Sequence, residues 1–280
     1  MIFPVPTLDH VVINVRDRID EGADTFRRLG FTLTPRGYHT LGSMNHLAMF
    51  GTDYLELIAA PPGDTQRPEI MEAAEGLNGL VFGTEDSAAT YAAMQQAGVP
   101  VLPPGEFSRP VTLPDGTTRD AVFRTVRLVP GTVAAGRLYF CHHFTRDLVW
   151  RDEWRHHANG ATGVVRAVIA AADPSELGAL FRRMFGPDAV RPIAGGLALT
   201  VGVSRFDIVT PDALQLEYGE LAPDPDGRES FMAALVFRTR SLDAAAHAME
   251  AGGIAGVRRE NGLVIVPAAA ACGATLAFCL

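Results

Sequence analysis

Cysteine is scarce in this chain: Cys141, Cys272 and Cys279 form no CxxC pair. With no secretory pattern in MIFPVPTLDH, an odd count argues against a disulfide framework and for a reducing compartment, so the expected location is the cytoplasm. No run of basic residues is present, and the net charge of −8 argues against nucleic acid, which is bound through clustered Lys and Arg at phosphates. Long apolar runs are missing too. The Ala-rich VPAAAACGA is too short to span a bilayer, so no membrane attachment is expected. Neither GxSxG, HExxH, a Walker loop nor GxGxxG stands in a credible setting. That removes the commonest hydrolase, zinc-protease and nucleotide-binding readings.

What is present is the composition of a compact globule, 48% hydrophobic and 20% charged. A length of 280 residues suits two domains better than one core. Four segments share one grammar: an apolar strand, a polar helix entry, a helix, a glycine, then short strands. The strands LDHVVINVRD, LNGLVFGTED, VVRAVIAAAD and FMAALVFRTRS open the four units. Asp17, Asp86, Asp173 and Ser241 stand at the helix entries, where a side-chain oxygen can accept from exposed N–H groups. Gly30, Gly98, Gly186 and Gly252 stand at the exits, where glycine tolerates the left-handed conformation.

The repeating unit is therefore βαβββ, used four times. One such unit cannot cover both faces of its small sheet, so units 1 and 2, and units 3 and 4, should pair with helices outside. This predicts an α+β protein of two curled mixed-sheet domains. Residues 1–149 form the expected functional cup and 150–280 a structural pair, joined through the polar stretch from Trp150 to Ala161.

A duplicated βαβββ unit with a DHV-type first strand and a YLELI-type last strand resembles the vicinal oxygen chelate superfamily. Within it, the chain is similar to glyoxalase-like domain proteins: HFTRDLVW (His143 to Trp150) and HANGA (His157 to Ala161) echo their HxTPExVW and HxNGA signatures. Arg146-Asp147 departs from the usual Pro-Glu. The resemblance spans nearly the whole chain, and one such fold hosts many chemistries.

The resemblance implies metal ligands on the first and last strands of paired units. In unit 1 those positions are His10 and Glu56; in unit 2 the first-strand position is about Gly79, which cannot ligate. Units 3 and 4 offer about Arg166, Asp207, Ala233 and Ala277, so an Arg166–Asp207 ion pair should replace a metal there. Alternation along the first strand sets Leu8, His10, Val12 and Asn14 on the cup face, with Val11, Ile13 and Val15 toward the helix. Tyr54, Glu56 and Ile58 share a face of the last strand. The third ligand is His143, with His142 and His46 as alternatives, completing a two-His-one-carboxylate set for Fe, Mn, Zn or Ni.

Together with these residues, the resemblance implies a metal-dependent lyase, isomerase or dioxygenase acting on a small oxygenated molecule. Glu56 is the expected proton shuttle, and Asn14, Tyr54, Phe140 and Arg109 the substrate contacts, with Arg109 meeting an acidic group. The alternative is a metal-free protein that sequesters a small molecule, which Gly79 and the aromatics Tyr54, Phe82, Tyr139 and Phe140 would suit. Beyond the small molecule, a second copy of the chain is the candidate partner.

Overall fold

The computed structural model describes residues 7–280. The first unit is β1 (Leu8–Asn14), α1 (Ile19–Arg28), β2 (Gly37–Tyr38), β3 (Met44–Met49) and β4 (Tyr54–Ala59). A short α2 (Pro68–Met71) leads to the second, β5 (Gly76–Gly83), α3 (Ser87–Gln96), β6 (Gly105–Thr112), β7 (Thr118–Arg127) and β8 (Arg137–His143). The third is β9 (Ala161–Ala171), α4 (Pro174–Phe185), β10 (Val190–Ile193), β11 (Gly196–Val201) and β12 (Ser204–Val209). After α5 (Pro211–Tyr218) comes the fourth, β13 (Ser230–Thr239), α6 (Leu242–Ala251), β14 (Arg258–Glu260), β15 (Leu263–Val266) and β16 (Thr275–Cys279). No helix among the described residues is long and apolar enough to cross a membrane.

Two eight-stranded mixed sheets result, ordered β2-β3-β4-β1-β5-β8-β7-β6 and β10-β11-β12-β9-β13-β16-β15-β14. In each, the first strands of two units lie side by side antiparallel, so each sheet joins two βαβββ units as the repeat predicts. The first sheet curls until its ends nearly meet: Thr40 N donates to the Ser108 carbonyl (3.0 Å), and Ser108 N to Thr40 Oγ1 (3.1 Å).

Three helix entries are capped as expected, Asp86, Asp173 and Ser241 accepting from the backbone of Ala89, Ser175 and Ala244. Asp17 does not cap. α1 starts after Arg18 without a side-chain cap and instead places Asp20 and Glu21 in its first turn and Arg27 and Arg28 in its last, matching the helix dipole.

The convex faces and helices of both sheets share one apolar cluster, running from Val11, Ile13 and Phe26 to Ile169, Phe181 and Phe237. Phe31 bridges the halves, its ring centroid 5.4 Å from that of Phe237. At the end of α6 the left-handed residue is Gly253 (φ +64°), whereas Gly252 is helical and lies against the Arg28 carbonyl of α1. A Cβ there has nowhere to go, so Gly252→Ala is expected to destabilise by about 2–3 kcal/mol through overpacking. Thermal unfolding checks this, and an unchanged midpoint would mean that α1 and α6 move apart freely.

The connection between the sheets is pinned by polar contacts. His157 Nδ1 accepts from Thr32 N (3.0 Å) and its Nε2 donates to the Met49 carbonyl (2.8 Å). This neutral form agrees with a pKa pushed down to about 4 by burial. Asn159 Nδ2 donates to the Leu29 carbonyl (2.9 Å). The HANGA stretch is thus a structural staple.

Candidate active site

The concave faces of the two sheets differ in what fills them. In the second, α5 lies in the cup, with Leu214 and Tyr218 packed on Val168, Ala170 and Ala233. Arg166 there binds Asp207 (2.6 Å) and Glu217, an ion-pair cluster at the ligand-equivalent positions. In the first, the corresponding connection carries only the four-residue α2, and a cavity of about 980 Å³ remains open. Its wall includes His10, His39, Tyr54, Glu56, Arg109 and Tyr139.

A β-bulge sets the geometry of this wall. Leu8 pairs with Phe82 and His10 with Val81, so Asp9 is an extra residue in β1. The bulge breaks the simple alternation. Leu8 joins Val11 and Ile13 in the helix-side core instead of facing the cup, while Asp9 and His10 engage each other. Asp9 Oδ1 accepts from His10 Nδ1 (2.6 Å) and from His143 Nε2 (2.9 Å). Burial pushes the Asp9 carboxyl up, but His143 and His10 outweigh it and hold it well below the usual carboxylate range.

With Nδ1 donating to Asp9, His10 turns Nε2 toward the Tyr139 hydroxyl (3.3 Å) and Glu56 Oε2 (3.7 Å). Tyr54 stacks on the imidazole, centroids 4.4 Å apart. Asn45 Nδ2 donates to Glu56 Oε1 (2.6 Å) and to His39 Nε2 (3.1 Å), and His39 Nδ1 meets Ser43 Oγ (2.8 Å). Burial pushes His39 down to about 4, which leaves its Nε2 free to accept. For Glu56, burial opposes ionisation, yet His10, His39 and the Asn45 hydrogen bond together hold its carboxyl below the ordinary value.

Of the expected site residues, His10, Glu56, Tyr54 and Arg109 line the cavity. Asn14 does not: its amide donates to the Ile70 (2.9 Å) and Ala74 (3.2 Å) carbonyls and holds the α2 connection. Phe140 lies on the helix side against Phe82 and Phe185, because Tyr139 and Cys141 take the cup-facing positions of β8. His46 is likewise turned away, with Nδ1 on the Thr34 carbonyl (2.8 Å), and His142 packs on Phe144. His143 is brought to Asp9, between Phe123 and Trp150, and does not line the cavity. Asp9, His39, Asn45 and the Tyr139 hydroxyl escaped the sequence reading. The aspartate beside His10 was the one available signal, and the bulge that turns it toward His143 is not visible in the local sequence.

Two positions are chemically suited to a divalent ion. His10 Nε2 and Glu56 Oε2, 3.7 Å apart, match two ligands each about 2.0–2.2 Å from one ion. The His10 Nδ1 bond to Asp9 is the outer contact that metal-bound histidines make. Asp9, Cys141 and His143 form a second group, with ligand atoms within 4.8 Å of one another. There, however, Asp9 Oδ1 already serves both histidines, and burial pushes the Cys141 thiol up.

Comparison with known proteins agrees with this fold. No curated protein sequence matches the chain. A hypothetical protein from Staphylococcus aureus is similar over 98% of this chain and 99% of its own, at 12% identity and a TM-score of 0.68. A mutant 4-hydroxymandelate synthase from Streptomyces coelicolor follows with 13% identity, a TM-score of 0.58 and coverage of 99% and 92%. A fusion of a xylose isomerase-like TIM barrel with 4-hydroxyphenylpyruvate dioxygenase shows 12% identity and a TM-score of 0.59, over 97% of this chain and 48% of that one. The family described as Glyoxalase-like domain matches residues 8–185. The chain therefore belongs to the glyoxalase-like domain family and carries the vicinal oxygen chelate fold.

Proposed function

We propose that this protein is a metal-dependent lyase, isomerase or dioxygenase whose cup, within residues 1–149, acts on a small oxygenated organic molecule. In this reading residues 150–280 serve as structural support. The observation that carries it is the His10–Glu56 pair, 3.7 Å apart on the cavity wall, each anchored from behind by Asp9 or Asn45. The names of two structural neighbours, a synthase and a dioxygenase, support chemistry on oxygenated substrates.

His10 and Glu56 would hold the ion, with Fe, Mn, Zn and Ni as candidates for this N/O set. A bound divalent ion supplies Lewis acidity toward adjacent substrate oxygens. The chain does the rest. Asn45 fixes Glu56 Oε1, so Oε2 is the oxygen turned to the ion beside His10 Nε2, and it would take a substrate proton only when released from the ion. Tyr54 holds the plane of the His10 ring, and Phe107 stacked on Phe123 (5.1 Å) gives the cavity an apolar flank that limits water. Metal-free sequestration accounts less well for a buried Glu56 kept ionised by its neighbours.

Elemental analysis of untagged protein purified without chelators tests this. Near-stoichiometric metal is expected in the wild type, falling at least about tenfold in His10→Ala and Glu56→Ala. Metal content unchanged in both variants would overturn the assignment.

A further inference from the structure

The cavity wall carries more arginines than its carboxylates pair directly. The chain contains no lysine, so all 24 of its basic residues are arginines, whose planar fork matches oxyanions. Arg67 on this wall pairs with Glu69 (2.6 Å). Arg109, Arg127 and Arg137 also line the cavity, and among the described residues none has a carboxylate partner within 4.0 Å. Arg109 is only 6% exposed, and its Nε is buried without an acceptor. It crosses the β2–β6 seam over Gly37, where any Cβ would strike its side chain.

The other two are oriented by neutral groups. Arg137 Nε donates to Asn78 Oδ1 (2.9 Å), leaving a buried Nη2 with no partner, and Arg127 Nε donates to Thr125 Oγ1 (3.2 Å). Burial depresses the pKa of both Arg109 and Arg127, the sign of cations short of compensation. An unpaired buried charge such as Arg109 is strongly unfavourable, and with Arg127 and Arg137 half-buried on the same wall the set calls for an anion from outside. Glu72 reaches the same wall, and Glu69 is already taken by Arg67.

The arginines stand at two ends. Arg109 pairs across the ladder with Ala121, six residues along β7 from Arg127, roughly 20 Å of backbone. Arg137 lies two residues from Tyr139, the β8 partner of Arg127. Glu56 lies within the charge field of both Arg109 and Arg137.

We propose that the substrate carries two separated oxyanionic groups, one held by Arg109 and the other by Arg127 and Arg137, with the intervening carbons at His10 and Glu56. This rests on His10 and Glu56 being the reacting site. Calorimetric titration with α,ω-dicarboxylates from succinate to pimelate, each beside the monocarboxylate of equal length, tests it without turnover. One dicarboxylate is expected to bind at least about tenfold tighter than its monocarboxylate. That preference should vanish in Arg109→Gln and in Arg137→Gln, with Arg127→Gln as the second variant should Arg137→Gln fail to fold. A phosphonocarboxylate binding tighter still would uphold two anionic stations and assign one to a phosphate-like group.

Equal binding of mono- and dicarboxylates, or a preference undiminished in the arginine variants, would overturn the proposal. Metal content separates it from the preceding reading. A metal-free wild type that keeps the preference defeats only the metal assignment, whereas a metal-loaded wild type without the preference defeats only this one.

Discussion

Asp9→Ala is expected to lower stability by about 3–5 kcal/mol, the range for breaking a buried charged network by removing one member. Asp9 is 2% exposed, and one of its oxygens serves both His10 Nδ1 and His143 Nε2. The variant leaves two buried ring nitrogens without their acceptor, at about 1–3 kcal/mol each. Urea unfolding at pH 7 should show a lower midpoint at unchanged slope. Asp9→Asn, which keeps an oxygen in place, should lose less.

The pH dependence follows from the direction of the Asp9 shift. Its folded-state pKa lies below the unfolded value of 3.8, so its contribution is fully present above that value and is lost as pH falls below it. The stability profile of Asp9→Ala should therefore be flatter on the acid side. A wild-type midpoint in Asp9→Ala would show that the shared acceptor contributes nothing.

Asp53→Asn is expected to act in the opposite sense and stabilise. Asp53 is buried where the turn before β4 meets β9; its Oδ2 accepts from Val164 N (2.9 Å), and its Oδ1 is buried without a partner. Burial pushes its carboxyl up to about 7. Between the unfolded value of 3.8 and about 7 the folded state keeps a proton that the unfolded chain has released. Stability therefore falls as pH rises through that window, by at most on the order of 4 kcal/mol at about 1.4 kcal/mol per pKa unit. Asparagine supplies the same acceptor to Val164 without a charge. The variant should match wild type near pH 4 and gain a few kcal/mol at pH 8. Equal stability at both pH values would mean that Asp53 ionises without penalty.

The legible part of this protein was its periodicity. Four strands, four helices and their glycine exits repeat in order, and three of four caps form because Asp86, Asp173 and Ser241 each carry an oxygen that accepts from a backbone N–H of the first helical turn. His10 and Glu56 were legible for a similar reason: a charged residue within an apolar strand must find a partner, and parity placed both on one wall. Parity then misplaced Leu8, because one extra residue in β1 reverses the alternation and local composition does not announce it. The same limit applies to Phe140, His46 and His142, whose strands carry polar residues on both faces.

By itself the sequence determined the repeat, the pairing of units and the presence of a histidine–carboxylate pair, since these depend on residue types at short, regular spacing. Tertiary structure alone decided that α5 fills one cup while the short α2 leaves the other open, and that His143 serves Asp9 rather than the cavity. It also gathered Arg109, Arg127 and Arg137 from three strands onto one wall. The physical reason is range: caps and strand faces are set within a few residues, whereas cavity, bulge and charge cluster depend on how strands far apart in the chain meet across a curled sheet.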